Sequence, residues 1–307
     1  VVSAALAAAM VDRVARVGSQ EATEISRTDV RELATLCGPL LAANVFGVVA
    51  PRMDIMLLGH WASSADVGRY LIAFQTAAVL ALVLGAFDVV FAPMMSRAWA
   101  RHDEHALRDA YHAVHRMAGM TTVPVFVLVV VFRDEILAFF GGGTSDASVA
   151  LTLLAIGYLL NAVLGGASTV LLMTGRSRTV LLNTILYGLA LAFGAVLLIP
   201  RWGMVGAAVA AAAALVAVNV LRGCQVWQRH AMLPWDGLTW PVLTGGAAMA
   251  VGLSVAKSVM EPVWFVLVAV TGMATYCAAV YVTQIANGEG VMGMIPFPRG
   301  WWRPARN

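Results

Sequence analysis

Eight apolar runs, each long enough to cross a bilayer, dominate this 307-residue chain. They cover residues 33–59, 68–95, 117–139, 148–173, 179–199, 204–222, 241–259 and 262–286. At ~1.5 Å rise per helical residue, runs of about 19–28 residues reach about 28–42 Å, enough to cross a hydrocarbon core of about 30 Å with modest tilt. Inside hydrocarbon every backbone N–H and C=O must find its partner within the protein, and a single continuous run does so as a helix. Barrel strands need only about 9–11 residues and alternate polar with apolar; these runs are longer and do not alternate. Hydrophobic residues make up 60% of the chain and charged residues 12%, against about 25% charged in a soluble domain. A soluble globe would lack the polar surface to cover such a core. The fold class expected is therefore an all-α, polytopic membrane bundle of about eight transmembrane helices.

The first ten residues, Val1 to Met10, are mostly apolar and carry no basic flank. They are too short to span and lack the form of a signal peptide, so they read as the end of a truncated helix. The three cysteines, Cys37, Cys224 and Cys277, lie far apart in or beside apolar runs. They read as small hydrophobes rather than as a disulfide framework or zinc site. The formal net charge is +3 with the basic residues scattered, which points to no nucleic-acid partner.

Tryptophan and arginine give the map its orientation. The nine tryptophans all fall at or beyond the end of a run, where an indole favours the headgroup layer. If the runs alternate across the membrane, fifteen of the twenty Arg and Lys fall on the side holding 11–32, 96–116, 174–178, 222–240 and 287–307. That side is then cytoplasmic.

No hydrolase, phosphate-loop or metalloprotease motif occurs, so the chain does not read as an enzyme. His102/His105 and His112/His115 stand at i,i+3 spacing, which metal ligands on one helix face would need. A solvated cytoplasmic helix explains the same pattern, and no metal is expected. Ionisable groups within apolar runs are costly and mark function by default. Arg52 and Asp54 lie inside the outer end of the first run, about 200° apart around the helix, and Asp88 lies near the inner end of the second, with Arg97 as its plainest partner. Lys257 and Glu261 read as an i,i+4 surface pair. Asn44, Gln75, Asn161, Asn183 and Asn219 are neutral polar residues in or at the edges of runs. Each suits either a helix–helix hydrogen bond or the wall of a wet cavity. Pro39 and Pro51 bend the first run.

The stretch from Pro51 to Leu80, with Asp54, Gly59, Val67, Gly68 and Tyr70, followed by a proline ending the next helix at Pro93, resembles the seventh and eighth helices of oligosaccharide and O-antigen flippases. These belong to the MOP superfamily, with the MATE-like and lipid-flippase transporters. The Thr174–Arg176 turn, Asn183 and the Pro200–Ala208 turn resemble the family's tenth-to-twelfth-helix region. The resemblance covers residues 30–285 and implies a MATE/MOP-like second lobe. On it, 1–10 ends helix six, 11–32 is the cytoplasmic inter-lobe linker and 33–224 is a six-helix lobe. Residues 225–240 are a cytoplasmic connection, 241–286 a two-helix hairpin and 287–307 a cytoplasmic tail.

The function implied is export of undecaprenyl-diphosphate-linked oligosaccharide by alternating access, without a bound cofactor, with H⁺ or Na⁺ coupling through a carboxylate. Partners implied are the lipid-linked oligosaccharide, membrane lipids, the missing N-terminal lobe, and glycosyltransferases or a polymerase of the pathway. Transport-path candidates are Arg52, Asp54, Asp88, Asn44, Gln75, Asn161 and Asn183. A cation-coupled multidrug antiporter of the same superfamily, a glycan ligase or polymerase, and a non-transporting scaffold are the rival readings; a ligase would need a large external loop, and the longest here is about eight residues. The orientation is testable with single cysteines. A cysteine at Ser64 should react with a membrane-impermeant maleimide from outside and one at Ser177 only after the cytoplasm is opened; the reverse pattern refutes the map.

Overall fold

A computed structural model of the chain describes residues 44–141, 144–164, 166–233, 239–259 and 270–278. The expected helix end at 1–10, the linker at 11–32, Pro39 and the tail at 287–307 lie outside these residues. The described residues are helices joined by short turns, without a strand.

Residues 44–49 are helical and pass through a 3-10 turn, Ala50–Arg52, into α1 (Met53–Trp61). Pro51, which has no N–H to offer, sits in that turn, so the bend falls where the backbone is already short of a donor. Helix α2 (Ser64–Ala100) starts at a Ser63 cap: the Ser63 hydroxyl accepts from the Asp66 N–H (3.2 Å) and donates to the Asp66 carboxylate (2.7 Å). Pro93 does not end this helix, as the sequence pattern implied. It forfeits one backbone bond but is exposed, so its ring meets no neighbouring helix, and the turn is held by Arg97 Nε donating to the Pro93 carbonyl (3.2 Å).

Helix α3 (Glu104–Val131) is capped by Asp103, whose side chain accepts from the Ala106 N–H (2.9 Å). It begins well before the expected third run and ends before that run does. The stretch carrying four histidines is therefore not a freely solvated connection. Leu107, Tyr111, Val114 and His115 are buried on one face of α3. The helix stops at Phe132, and α4 (Arg133–Phe139) restarts with Asp134 and Glu135 in its first turn, where carboxylates suit the positive end of the helix dipole. The expected fourth run is likewise two helices, α5 (Ser145–Leu164) and α6 (Ala167–Met173). A side chain at Gly166, in the break, would come within 3.2 Å of His115 Nε2, so the glycine lets α6 close on α3.

Helix α7 (Ser177–His230) is two helices in one continuous trace. Gly203 takes φ 54°, a conformation that glycine adopts freely, and the chain folds back on itself. Gly194 then faces Ala210, Gly206 faces Leu198, and Asn183 meets Gln225. A side chain at Gly206 would stand 2.3 Å from the Leu198 carbonyl oxygen. The two halves touch through backbone, the small-residue packing expected of helices in lipid. Helix α5 lies on the second half at Gly157 and Ala212, where an added methyl would be 3.0 Å from backbone. Helix α8 (Thr239–Val259) packs on α3, and Tyr276, from the helical stretch 270–278, is buried in the same cluster with Leu253 and Val127.

Among the described residues α2, α3, α5 and α7 are long and apolar enough to cross a membrane, and α7, at 54 residues, holds two such lengths. The contacts agree with strict alternation. Lys257, late in α8, meets Glu135, just past the end of α3 (2.8 Å). At the opposite end, His112, early in α3, hydrogen-bonds the Leu233 carbonyl just past α7 (3.0 Å). The Lys257 ammonium also donates to the carbonyl of Val131 (2.7 Å), capping α3; its expected partner Glu261 lies outside the described residues. Trp61, Trp99, Trp202 and Trp227 are exposed near helix ends or at the α7 fold. Because the α7 halves touch at backbone, Gly206→Val should cost roughly 3 kcal/mol or more. A detergent-solubilised melting curve should show a large loss of stability, whereas Gly223→Ala, in open space, should melt within a degree or two of wild type, about what a sub-0.5 kcal/mol change gives.

Candidate functional site

The polar side chains that the bundle brings together fall into two groups at its opposite ends, outer and inner in the orientation expected from the arginines. The outer group centres on Asp54, which is fully buried. Its Oδ2 accepts from the Tyr70 hydroxyl of α2 (2.5 Å), and its Oδ1 from the Ile55 N–H (2.8 Å). A carboxylate drawn out of water is tolerable only when its lone pairs are engaged. Tyr158 of α5 and Tyr187 of α7 lie within electrostatic reach of it. Arg52 forms no ion pair with Asp54. It is exposed, and its guanidinium stands 5.9 Å from the centre of the Phe74 ring, a cation–π distance. So α1 is pinned to α2 through a charged hydrogen bond, with a cation beside it on the surface.

The inner group ties helices in pairs. Thr169 of α6 donates to Asp88 Oδ1 of α2 (2.8 Å), so Asp88 engages a hydroxyl on a neighbouring helix, where the sequence pointed to Arg97. Asn183 and Gln225 exchange two amide hydrogen bonds (2.7 and 3.0 Å) across the halves of α7. Asn219 donates to Asn161 Oδ1 of α5 (2.8 Å) and to the Leu215 carbonyl (2.9 Å), and accepts from Arg222 Nη1 (3.3 Å). Asn183 and Asn219 are buried. Such interhelical bonds are worth about 0.6–2 kcal/mol each in lipid. Gln75 and Asn44, by contrast, are exposed on α2 and on the helical stretch before the Pro51 turn.

Of the seven residues picked from sequence, the structure thus gathers Asp54 with Tyr70, Asp88 with Thr169, Asn161 with Asn219, and Asn183 with Gln225. It leaves Arg52, Gln75 and Asn44 on the surface of the bundle. Tyr70, Tyr158, Tyr187 and Arg222 were missed. The tyrosines within apolar runs were the available signal for the outer group. Arg222 was counted with the cytoplasmic cations because it stands at the very end of a run. The described residues bring together no group of three or more His, Cys, Asp or Glu that would hold a metal ion.

Comparison with known proteins agrees with this architecture. Residues 2–150 match the model of a family described as polysaccharide biosynthesis protein. Over 186 residues, 59% of this chain, the sequence is 25% identical to the probable low-salt glycan biosynthesis flippase Agl15 of Haloferax volcanii, and covers 39% of it. The fold superposes on the lipid II flippase MurJ in an inward closed conformation, with a TM-score of 0.67 at 13% identity, over 88% of this chain and 58% of that one. The chain is thus similar to polysaccharide-biosynthesis proteins over just under half of its length, and it shares the fold of the lipid II flippase. An outward-facing MATE transporter of the MOP superfamily is similar at a TM-score of 0.55 and 15% identity, over 84% of this chain and 65% of that one. A MOP transporter of Pyrococcus furiosus is similar at 0.52, also at 15% identity.

The chain is a multi-pass membrane protein, and it spans about two fifths of the length of the curated relative it matches. The buried pair Asp54–Tyr70 should be energetically coupled. Tyr70→Phe leaves the carboxylate short of a donor and should destabilise by about 1–3 kcal/mol. Combined with Asp54→Asn it should cost less than the sum of the singles, and a melting series of the four proteins reads the coupling; additive losses would show that the bond carries none.

Proposed function

We propose that this chain is part of a flippase that carries a polyprenyl-diphosphate-linked oligosaccharide from the cytoplasmic to the outer leaflet of a bacterial inner membrane. The observation that carries the proposal is the match to a polysaccharide-biosynthesis family and to a glycan flippase on a chain with a MOP-type fold. The chemistry fits. A glycan needs a polar route through apolar surroundings, whereas its prenyl tail is at home in lipid. Transport, rather than bond-making, is the activity proposed, and alternating access is the proposed route.

In this reading 33–224 is one lobe of the transporter, and 11–32 joins it to a preceding lobe. Residues 225–240 connect it inside the cell to the hairpin 241–286. Arg52, Gln75 and Asn44, exposed on the 3-10 turn before α1, on α2 and on the helical stretch 44–49, face the cargo. Asp54 is the coupling carboxylate: it alternates between its bond to Tyr70 and a proton or Na⁺. Asp88, Asn161 and Asn183 hold the inner ends of the helices together while the lobes rock. Glycosyltransferases or a polymerase of the same pathway would supply and consume the cargo.

The experiment is complementation by the full-length protein in a strain lacking its own flippase, with surface polysaccharide measured per cell at matched protein level. Asp54→Asn should reduce export by about tenfold, the effect of one charge-assisted contact of ~1.5 kcal/mol. Asp88→Asn should reduce it less, because Thr169 can still bond an amide. Arg52→Ala should behave like Asp54→Asn if its guanidinium meets the diphosphate. Equal export by wild type, Arg52→Ala and Asp54→Asn removes the outer group from the path. Dye efflux without glycan export would mark a multidrug antiporter, and neither activity a scaffold.

A further inference from the structure

Arg222 is one of the cations whose side chain reaches into the bundle at the inner ends of the helices. It stands in the second half of α7, which begins its return after Gly203. At ~1.5 Å per residue it lies about 27 Å along the helix from that fold, at the inner edge of a core about 30 Å thick. Its guanidinium is turned into the protein. Nη1 donates to Asn219 Oδ1 at 3.3 Å, a long bond for this type, and Asn219 is itself held by Asn161. Tyr187, from the first half of α7, is the ionisable neighbour that acts on it. Nε is buried and has no partner among the described residues. The residue as a whole keeps a partly exposed portion.

Two cations of the bundle have carboxylates: Arg69 has Asp66 at 3.1 Å, and Lys257 has Glu135 at 2.8 Å. Among the described residues no carboxylate pairs with Arg222. Amide and phenol oxygens offer it dipoles only. A guanidinium drawn into an apolar seam without a countercharge is costly, so such a site is completed by an anion. The planar fork with free N–H donors fits a phosphate better than a carboxylate-free protein wall does.

We propose that Arg222, positioned by Asn219 and Asn161, is a binding site for the phosphate headgroup of a lipid in the cytoplasmic leaflet, entered at the seam between α5 and α7. The inference rests on the transport reading for its orientation and for its preferred ligand, a polyprenyl diphosphate; a phospholipid offers the same phosphate chemistry. Asn219 and Asn161 are positioning residues that hold the fork toward the seam.

Native mass spectrometry of the purified full-length protein tests this with three probes: undecaprenyl diphosphate, dioleoyl-phosphatidylglycerol and dioleoylglycerol, which has no phosphate. Wild type should retain a phosphate lipid at least about tenfold better than dioleoylglycerol. Arg222→Gln should abolish that preference, Arg222→Lys should restore part of it, and Arg229→Gln, an exposed cation of the same helix, should leave it intact. Preference for the diphosphate over phosphatidylglycerol assigns the site to the cargo; equal retention of the two assigns it to bulk headgroups. Retention of all three probes alike by wild type overturns the site, and this holds even if Arg222→Gln does not fold. Unchanged retention by Arg222→Gln overturns it too. Arg222-dependent retention in a protein that exports no glycan keeps the site and sinks only the transport reading.

Discussion

The bundle depends on the contact between the two halves of α7. At Gly206 these halves approach until a side chain would strike the Leu198 backbone, and at Gly194 a methyl would stand 3.2 Å from that of Ala210. In lipid there is no hydrophobic force to press helices together, because the tails are as apolar as the side chains. Attraction must come from dispersion at short range, and only small residues allow it. The alanine run around Ala208 to Ala214 supplies that surface, and α5 settles on it at Gly157 and Ala212. Helices α1 and α6 also pack on α7. The hairpin is therefore the platform on which the other elements are assembled, and its geometry follows from one glycine with positive φ.

Polar contacts then specify how elements sit on that platform. Two ties are neutral amide pairs, Asn183 with Gln225 and Asn219 with Asn161. Two are a hydroxyl donating to a carboxylate, Thr169 to Asp88 and Tyr70 to Asp54. Neutral pairs cost little to bury and little to break, whereas a buried carboxylate is expensive to leave without its donor. The two kinds of tie thus differ in how they respond to a change of charge. A protonation or a bound cation acts on the carboxylate ties and leaves the amides as they are.

Much of this was legible in the chain. The lengths of the apolar runs, the Pro200–Gly203 turn and the small-residue run after it led directly to the α7 hairpin. The Pro51 bend, the alternation of sides and the tryptophans at helix ends were read from sequence as well. The errors had a common cause. Hydropathy reads 117–139 and 148–173 as single spans, and even the charges Arg133, Asp134 and Glu135 mark a weak point in the first without showing where its helix ends. The breaks at Phe132 and beside Gly166 are local backbone events, set by a cap and by the approach of His115. Helix α3 reaches back to Glu104 because the polar sequence before the apolar run is still a good helix with one buried face.

The sequence by itself determined the class of the protein: an all-helical, multi-pass chain, since a long apolar run has one way to satisfy its own backbone in lipid. It also singled out Asp54, Asp88, Asn161 and Asn183, which the structure pairs, because a charge or an amide in such a run stands out. What each of them does was decided by the tertiary structure alone. Asp54 meets Tyr70, sixteen residues away, and Asn161 meets Asn219, fifty-eight residues away. Arg222 faces a protein seam rather than open water. Which way a side chain turns on its helix depends on the neighbour it packs against, and no run of residues read along the chain contains that neighbour.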